Sequence, residues 1–285
     1  MDVYPARTHC AASAKLLPWS RCNEIGTLAF CASAFAMPKN SSGEAYFSID
    51  GGTQVAPGQP IQPATQISIT LAGATARGVL FEGGRYETLT PFLPALTHII
   101  SDTVPGDGGR TAQGTRQRTW TPSTWAVINS VRTSEGLRQR LVAIPAQYRG
   151  TDGAAGTERL FTEMRYTVFY SQSSDPIPPS VWAVHARAWP SDEAALLQVD
   201  VTDFSGVVRV VVVYTLGDGS WETRLLAPAA GETSRWVGLL PKEAGLDYFV
   251  QAVDGAGNVA LQDNRGRYFR ASLHQHYLPL TAQGK

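Results

Sequence analysis

Apolar and polar residues alternate in Leu197-Gln-Val199-Asp-Val201-Thr, as a strand with one buried face requires. Val207–Tyr214 is almost continuous valine, broken by Arg209. Period two then places Val208, Val210, Val212 and Tyr214 on the inward face. Similar short runs occur at Val181–Arg187, Leu196–Thr202, Val207–Thr215, Trp221–Leu226, Arg235–Leu239, Asp247–Val253 and Val259–Leu261. Gly217-Asp-Gly219 supplies one turn and Asp254-Gly-Ala-Gly-Asn258 another, because Gly and Asn tolerate positive φ. Seven short strands at this spacing predict a two-sheet sandwich.

The region before it is also strand-rich but less regular. Gln66–Leu71 alternates cleanly, and Val79–Phe81, Tyr86–Leu89, Thr97–Ile100, Trp125–Ile128 and Leu137–Ile144 are shorter strand candidates. Leu160–Tyr170 alternates over its whole length, with Leu160, Thr162, Met164, Tyr166, Val168 and Tyr170 on one face. Ser101–Thr124 is rich in glycine and arginine and reads as a long loop. The chain thus divides into a leader (1–44), a β-rich domain (45–170), a Pro/Ser linker (171–180), a β-sandwich (181–270) and a tail (271–285). The expected class is all-β, with two sandwich-like modules. Three prolines between 171 and 180 stiffen the linker and keep it out of a ladder.

Composition narrows the function. Basic and acidic residues balance at 24 each, so there is no whole-molecule field to attract nucleic acid. The cysteines are Cys10, Cys22 and Cys31, which excludes a four-thiolate zinc site or a disulfide framework in the body of the chain. Ile25–Met37 is a short apolar run preceded by Arg7, Lys15 and Arg21 and containing Ala34-Phe-Ala36, a pattern compatible with an export signal cleaved near Met37. Glu24 and the length of the leader fit that pattern poorly, and a disordered leader or a misassigned start is the alternative. No apolar stretch reaches the roughly 18 residues of a membrane-spanning helix.

Two resemblances add to this. Val201-Thr-Asp203-Phe-Ser-Gly206-Val, Gly217-Asp-Gly-Ser-Trp221 and Tyr248-Phe-Val-Gln-Ala-Val-Asp254-Gly-Ala-Gly-Asn258-Val-Ala resemble the immunoglobulin/fibronectin III-like modules of bacterial surface and secreted proteins. That likeness covers about residues 178–270 and implies a seven-stranded module that spaces, supports or adheres. Leu141–Tyr148 with Leu160–Tyr170 resembles strands near the end of gingipain-type cysteine protease prodomains. It implies an accessory fragment, since no cysteine follows residue 31 to serve as a peptidase nucleophile. Tyr277-Leu-Pro-Leu280 is similar to endings of exported bacterial proteins.

Candidate chemistry is sparse. There is no Gly-x-Ser-x-Gly elbow, His-Glu-x-x-His, phosphate loop or EF-hand, so no catalytic role is expected. His98 and His185 read as structural, and His274-x-His276 as part of a solvated tail able at most to bind a transition metal weakly. In a sandwich of this topology Asp200, Asp203, Asp254 and Asn258 approach one loop end. They hold calcium, or Asp203, Asp254 and Asn258 cap their own turns. Trp221 and Trp236, on neighbouring strands, are either a sugar-stacking platform or core. Arg110, Arg116 and Arg118 read as a solvated loop. The expected protein is a non-catalytic, extracellular or cell-surface module. Its partners would be other surface domains, proteins or glycans. Carbohydrate or protein binding with calcium-stabilised loops, and a protease accessory fragment, are the alternatives.

Overall fold

A computed structural model describes residues 2–5, 15–17, 24–31, 34–40, 43–97, 118–151, 155–188 and 192–273. Every regular element in them is a strand, so the fold is all-β. The first region contains β1 (Asp2–Pro5), β2 (Lys15–Leu17), β3 (Glu24–Cys31), β4 (Ala34–Met37), β5 (Thr53–Gln54), β6 (Gln62–Pro63), β7 (Thr65–Ser68), β8 (Thr75–Phe92), β9 (Ala126–Thr133), β10 (Gly136–Ala143), β11 (Ala146–Arg149) and β12 (Gly156–Ser171). The second contains β13 (Ser180–Ala188), β14 (Ala194–Thr202), β15 (Val207–Thr215), β16 (Ser220–Leu225), β17 (Ala227–Pro228), β18 (Arg235–Pro241), β19 (Asp247–Asp254), β20 (Val259–Gln262), β21 (Phe269–Arg270) and β22 (Ser272–Leu273).

The second region is a sandwich of two sheets. One sheet has the order β17-β18-β14-β13-β22, and the facing one contains β16-β15-β19-β20. Between them lie Leu197, Val199 and Val201 of β14, Val210, Val212 and Tyr214 of β15, Trp236 of β18, and Tyr248, Val250 and Ala252 of β19. Val208 is exposed, contrary to the inward face expected from strict period two. The β15–β19 register shifts between Val207 and Arg209, and that irregularity turns Val208 outward while Val207 packs on the core.

The two regions share a sheet and a core. The sheet carrying β15 and β19 continues through β16 into the first region, giving the order β2-β3-β12-β8-β16-β15-β19-β20. The splice is short: Ser220 pairs with Arg85 and Trp221 with Gly84, and the Tyr86 amide donates to the Gly219 carbonyl at 2.8 Å. Glycine is required there. A Cβ on Gly84 would lie 2.2 Å from the Glu163 carbonyl oxygen, and Gly83 has φ +117° with Trp221 backbone 2.4 Å from its Cβ position. A second core spans the splice. It joins Leu80, Phe81, Trp125, Phe161, Met164, Tyr166 and Phe169 of the first region to Val211, Val213, Trp221, Phe249, Val253 and Tyr268 of the second. β15 and β19 are therefore buried on both faces.

Two buried glutamines extend these pairings by mimicking the peptide group. Gln251 of β19 accepts from the Phe81 amide at 3.0 Å and donates to the Phe81 carbonyl at 2.9 Å. Gln139 of β10 treats Ala76 in the same way, at 2.7 and 3.0 Å. The amide and carbonyl of Phe81 and of Ala76 are thus each satisfied by a side chain.

Several first-region expectations change. Val79–Phe81 and Tyr86–Leu89 belong to one long strand, β8, whose pairing with β12 shifts register four times. Those shifts break the single-face alternation of Leu160–Tyr170: Phe161 and Phe169 are buried along with Leu160, Met164, Tyr166, Val168 and Tyr170, while Thr162 is half-buried. Thr97 lies in no strand, and His98–Ile100 are outside the described residues. The apolar run read as part of a leader supplies β3, which pairs along β12, and β4, with Phe30 and Phe35 buried. The segment between β12 and β13 stays out of the ladders, as its prolines require, yet it is fastened down. Arg77 donates to the Ser173 carbonyl, Gln172 to the Gly73 carbonyl, and Asn258 to the carbonyls of Asp175 and Ile177.

Candidate functional site

The loop end of the sandwich brings together three segments: 172–179, the β14–β15 loop at 203–206, and the β19–β20 turn at 254–258. Each carries an aspartate, and carboxylate oxygens of Asp175, Asp203 and Asp254 all lie within 4.8 Å of one another. Asp203 and Asp254 were expected here. Asp175 was not, because it sits in the segment read as a Pro/Ser linker.

Much of the oxygen capacity is spent on the loops themselves. Asp254 is buried; its Oδ1 accepts from the amides of Ala256 and Asn258, and its Oδ2 from the Asn258 side chain, all at 2.8–2.9 Å. Asp203 Oδ1 accepts from the Ser205 amide and hydroxyl, both at 2.7 Å, and Asp175 Oδ1 from the Ile177 amide at 3.0 Å. These are the turn caps weighed against calcium from the sequence.

The other two expected ligands are engaged differently. Asp200 lies on β14 and bonds Arg235 Nε at 3.0 Å, because the β14–β18 register places the pair directly opposite each other. Asn258 turns its side-chain amide toward Asp254 and the carbonyls of residues 175 and 177, acting as a stitch between the loops.

At the tip of the 203–206 loop stands Phe204, completely exposed. Its backbone is held by the Asp203 cap and by the bond from the Gly255 amide to the Gly206 carbonyl at 2.8 Å. A braced loop therefore presents a bare aromatic ring. Sequence reading missed it because a phenylalanine between strands looks like core. The flanking Asp-x-Ser-Gly turn was the signal that it could point outward.

Of the two readings of Trp221 and Trp236, their burial favours core over platform. Trp221 and Trp236 are buried, in different cores, so neither can stack on a sugar. Trp221 packs on Trp125, Phe249 and Tyr268 with ring centroids 5.1–5.8 Å apart. Trp182 is exposed on β13, and His185 points to solvent from the same strand. His274, His276, Arg110 and Arg116 lie outside the described residues. Among the described residues, no helix is long and apolar enough to cross a membrane.

No known protein family matches the chain, and no curated protein does. Among solved structures, the complex of pro- and mature domains of RgpB from Porphyromonas gingivalis is similar at 18% identity. That match covers 57% of this chain and 86% of that one, with a TM-score of 0.40. A structure concerned with the zymogenic latency of gingipain K, from the same organism, is similar at 15% identity. It covers 60% of this chain and 99% of that one, with a TM-score of 0.43.

Proposed function

We propose that this chain is a non-catalytic interaction module of an exported bacterial protein and that it engages a protein partner through the loop end of its sandwich. The observation that carries this reading is Phe204, exposed on a loop whose backbone is already fixed by side-chain caps. An ordered aromatic loses little conformational freedom on docking, and such residues are frequent binding hot spots. The composition and the likeness of residues 178–270 to surface modules support export and a positioning role. The test compares immobilised wild type with Phe204→Ser for capture of proteins from the medium of the source bacterium. Selective loss with the variant is expected. Identical capture by both would sink the reading.

A second reading assigns the partner to an exported cysteine peptidase, on which the chain acts as a prodomain-like accessory. The residues that resemble prodomain strands, 141–170, build β10, β11 and β12, and β12 is the strand on which β3, β8 and β11 all pair. The experiment is hydrolysis of a chromogenic peptide by a gingipain-type peptidase with increasing amounts of this chain. Stoichiometric inhibition supports it; unchanged rates with no complex on gel filtration reject it.

A further inference from the structure

The opposite end of the shared core gathers arginines, one of them buried with a guanidinium nitrogen that has no partner among the described residues. Arg159, on β12, is buried to more than nine-tenths, and its guanidinium carbon lies 3.8 Å from the centre of the Trp120 ring, 4.8 Å from Tyr86 and 5.7 Å from Trp221. Its Nη1 is buried without a hydrogen-bond partner among the described residues. Arg149, at the end of the adjacent β11, stands 4.5 Å from the centre of the same Trp120 ring. Two guanidinium groups therefore share one indole.

Arg270 approaches from the second region. Its Nε bonds Asp247 at 2.9 Å, Asp247 lies opposite Thr215 in the β15–β19 ladder, and Thr215 bonds the hydroxyl of Tyr86, whose ring lies beneath Arg159. Asp247 is thus already engaged, and the remainder of the Arg270 side chain is largely exposed. Burial and the neighbouring charges of Arg159 and Arg270 lower the Arg149 pKa, while Asp247 opposes them.

The aromatic faces explain part of this arrangement, since cation–π contact stabilises a buried guanidinium. They do not satisfy its N–H groups. A buried donor without an acceptor costs about 1–3 kcal/mol, and more when it is charged. Two neighbouring cations compound that cost, and an anion would relieve both terms at once.

We propose that Arg149 and Arg159, which share the Trp120 ring, together with Arg270 beside them on Asp247, form an oxyanion-binding site. Guanidinium forks match the two oxygens of a carboxylate or phosphate, so the ligand class is a planar or tetrahedral oxyanion. A free inorganic ion and a carboxylate on another protein share that chemistry.

The test uses the full chain and two probes, inorganic phosphate and an N-acetylated tetraglutamate peptide. Melting curves and calorimetric titration are run against chloride at equal ionic strength. A saturable rise in Tm with either probe is expected. Response to phosphate alone identifies a free oxyanion, and stronger response to the peptide identifies a protein carboxylate. Arg149→Met keeps the packed stem and removes the fork, and should weaken binding about tenfold or more. Arg159→Met should abolish the response; should that variant fail to fold, Arg149→Met decides alone. No shift beyond chloride with either probe, or an undiminished shift in Arg149→Met, overturns the proposal.

Discussion

The two sheets of the sandwich meet the same inner core but differ on their outer faces. β14 alternates, burying Leu197, Val199 and Val201 against the facing sheet with more accessible residues between them. β15 and β19 bury both faces, one against β14 and the other against the first region. The difference teaches that the first region is the outer layer of the second. Its long strand β8 extends the β15–β19 sheet through β16, and Phe81, Trp125 and Tyr166 cover a face that an isolated sandwich would leave in water. Strands covered on both sides need apolar residues at successive positions, which is what Val210–Val213 and Tyr248–Val250 supply.

The comparison breaks most completely at the splice. Gly84→Val drives a side chain into the Glu163 carbonyl, and we expect a loss of about 3 kcal/mol or more, or failure to fold. Calorimetry of the wild type should give one transition for both regions. Two well-separated transitions would show that the sheet continuity carries no cooperativity.

Next in size is Trp221→Ala, which removes a buried ring from the shared core and should cost about 3–5 kcal/mol. Trp182→Ala, on an exposed face, should stay within about 0.5 kcal/mol by urea denaturation. Equal effects from the two would contradict the burial pattern. A chain beginning at Met37 sharpens the same point on the other edge. It lacks β3, uncovers one side of β12 and loses Phe30 and Phe35, so its Tm should fall well below that of the full chain.

A smaller, pH-dependent effect is expected at Glu158. Its carboxyl is fully buried, Gln62 donates to it at a long 3.5 Å, and burial pushes its pKa well above the usual carboxylate range. An acid whose folded pKa is raised binds its proton more tightly when folded. Its contribution is full below the unfolded pKa of about 4.3 and is lost as pH rises toward the folded value. Glu158→Gln should therefore be near neutral at pH 4 and stabilising by roughly 1–3 kcal/mol at pH 8. A variant whose stability relative to wild type does not change with pH would refute this.

The smallest expected change concerns calcium. With both Asp254 oxygens and one each of Asp203 and Asp175 capping their own loops, millimolar calcium should move Tm by no more than about one degree. A larger, saturable rise that disappears in Asp175→Asn would make this loop end a metal site.

The sequence by itself determined the all-β class and the seven main strands of the second region, because period-two burial and glycine turns are local signals. It also placed Asp203 and Asp254 at one loop end, since each sits in a turn with its own chemical signature. Only the tertiary structure decided that the apolar run at 25–37 is woven into the sheet, that Asp175 completes the carboxylate group, and that Trp221 and Trp236 fill two different cores. It alone brought Arg149 and Arg159 to one indole. The physical reason is common to all of these. A residue's alternation reports that a face is buried, but what covers the face comes from strands far away in the chain, whose pairing no local pattern encodes.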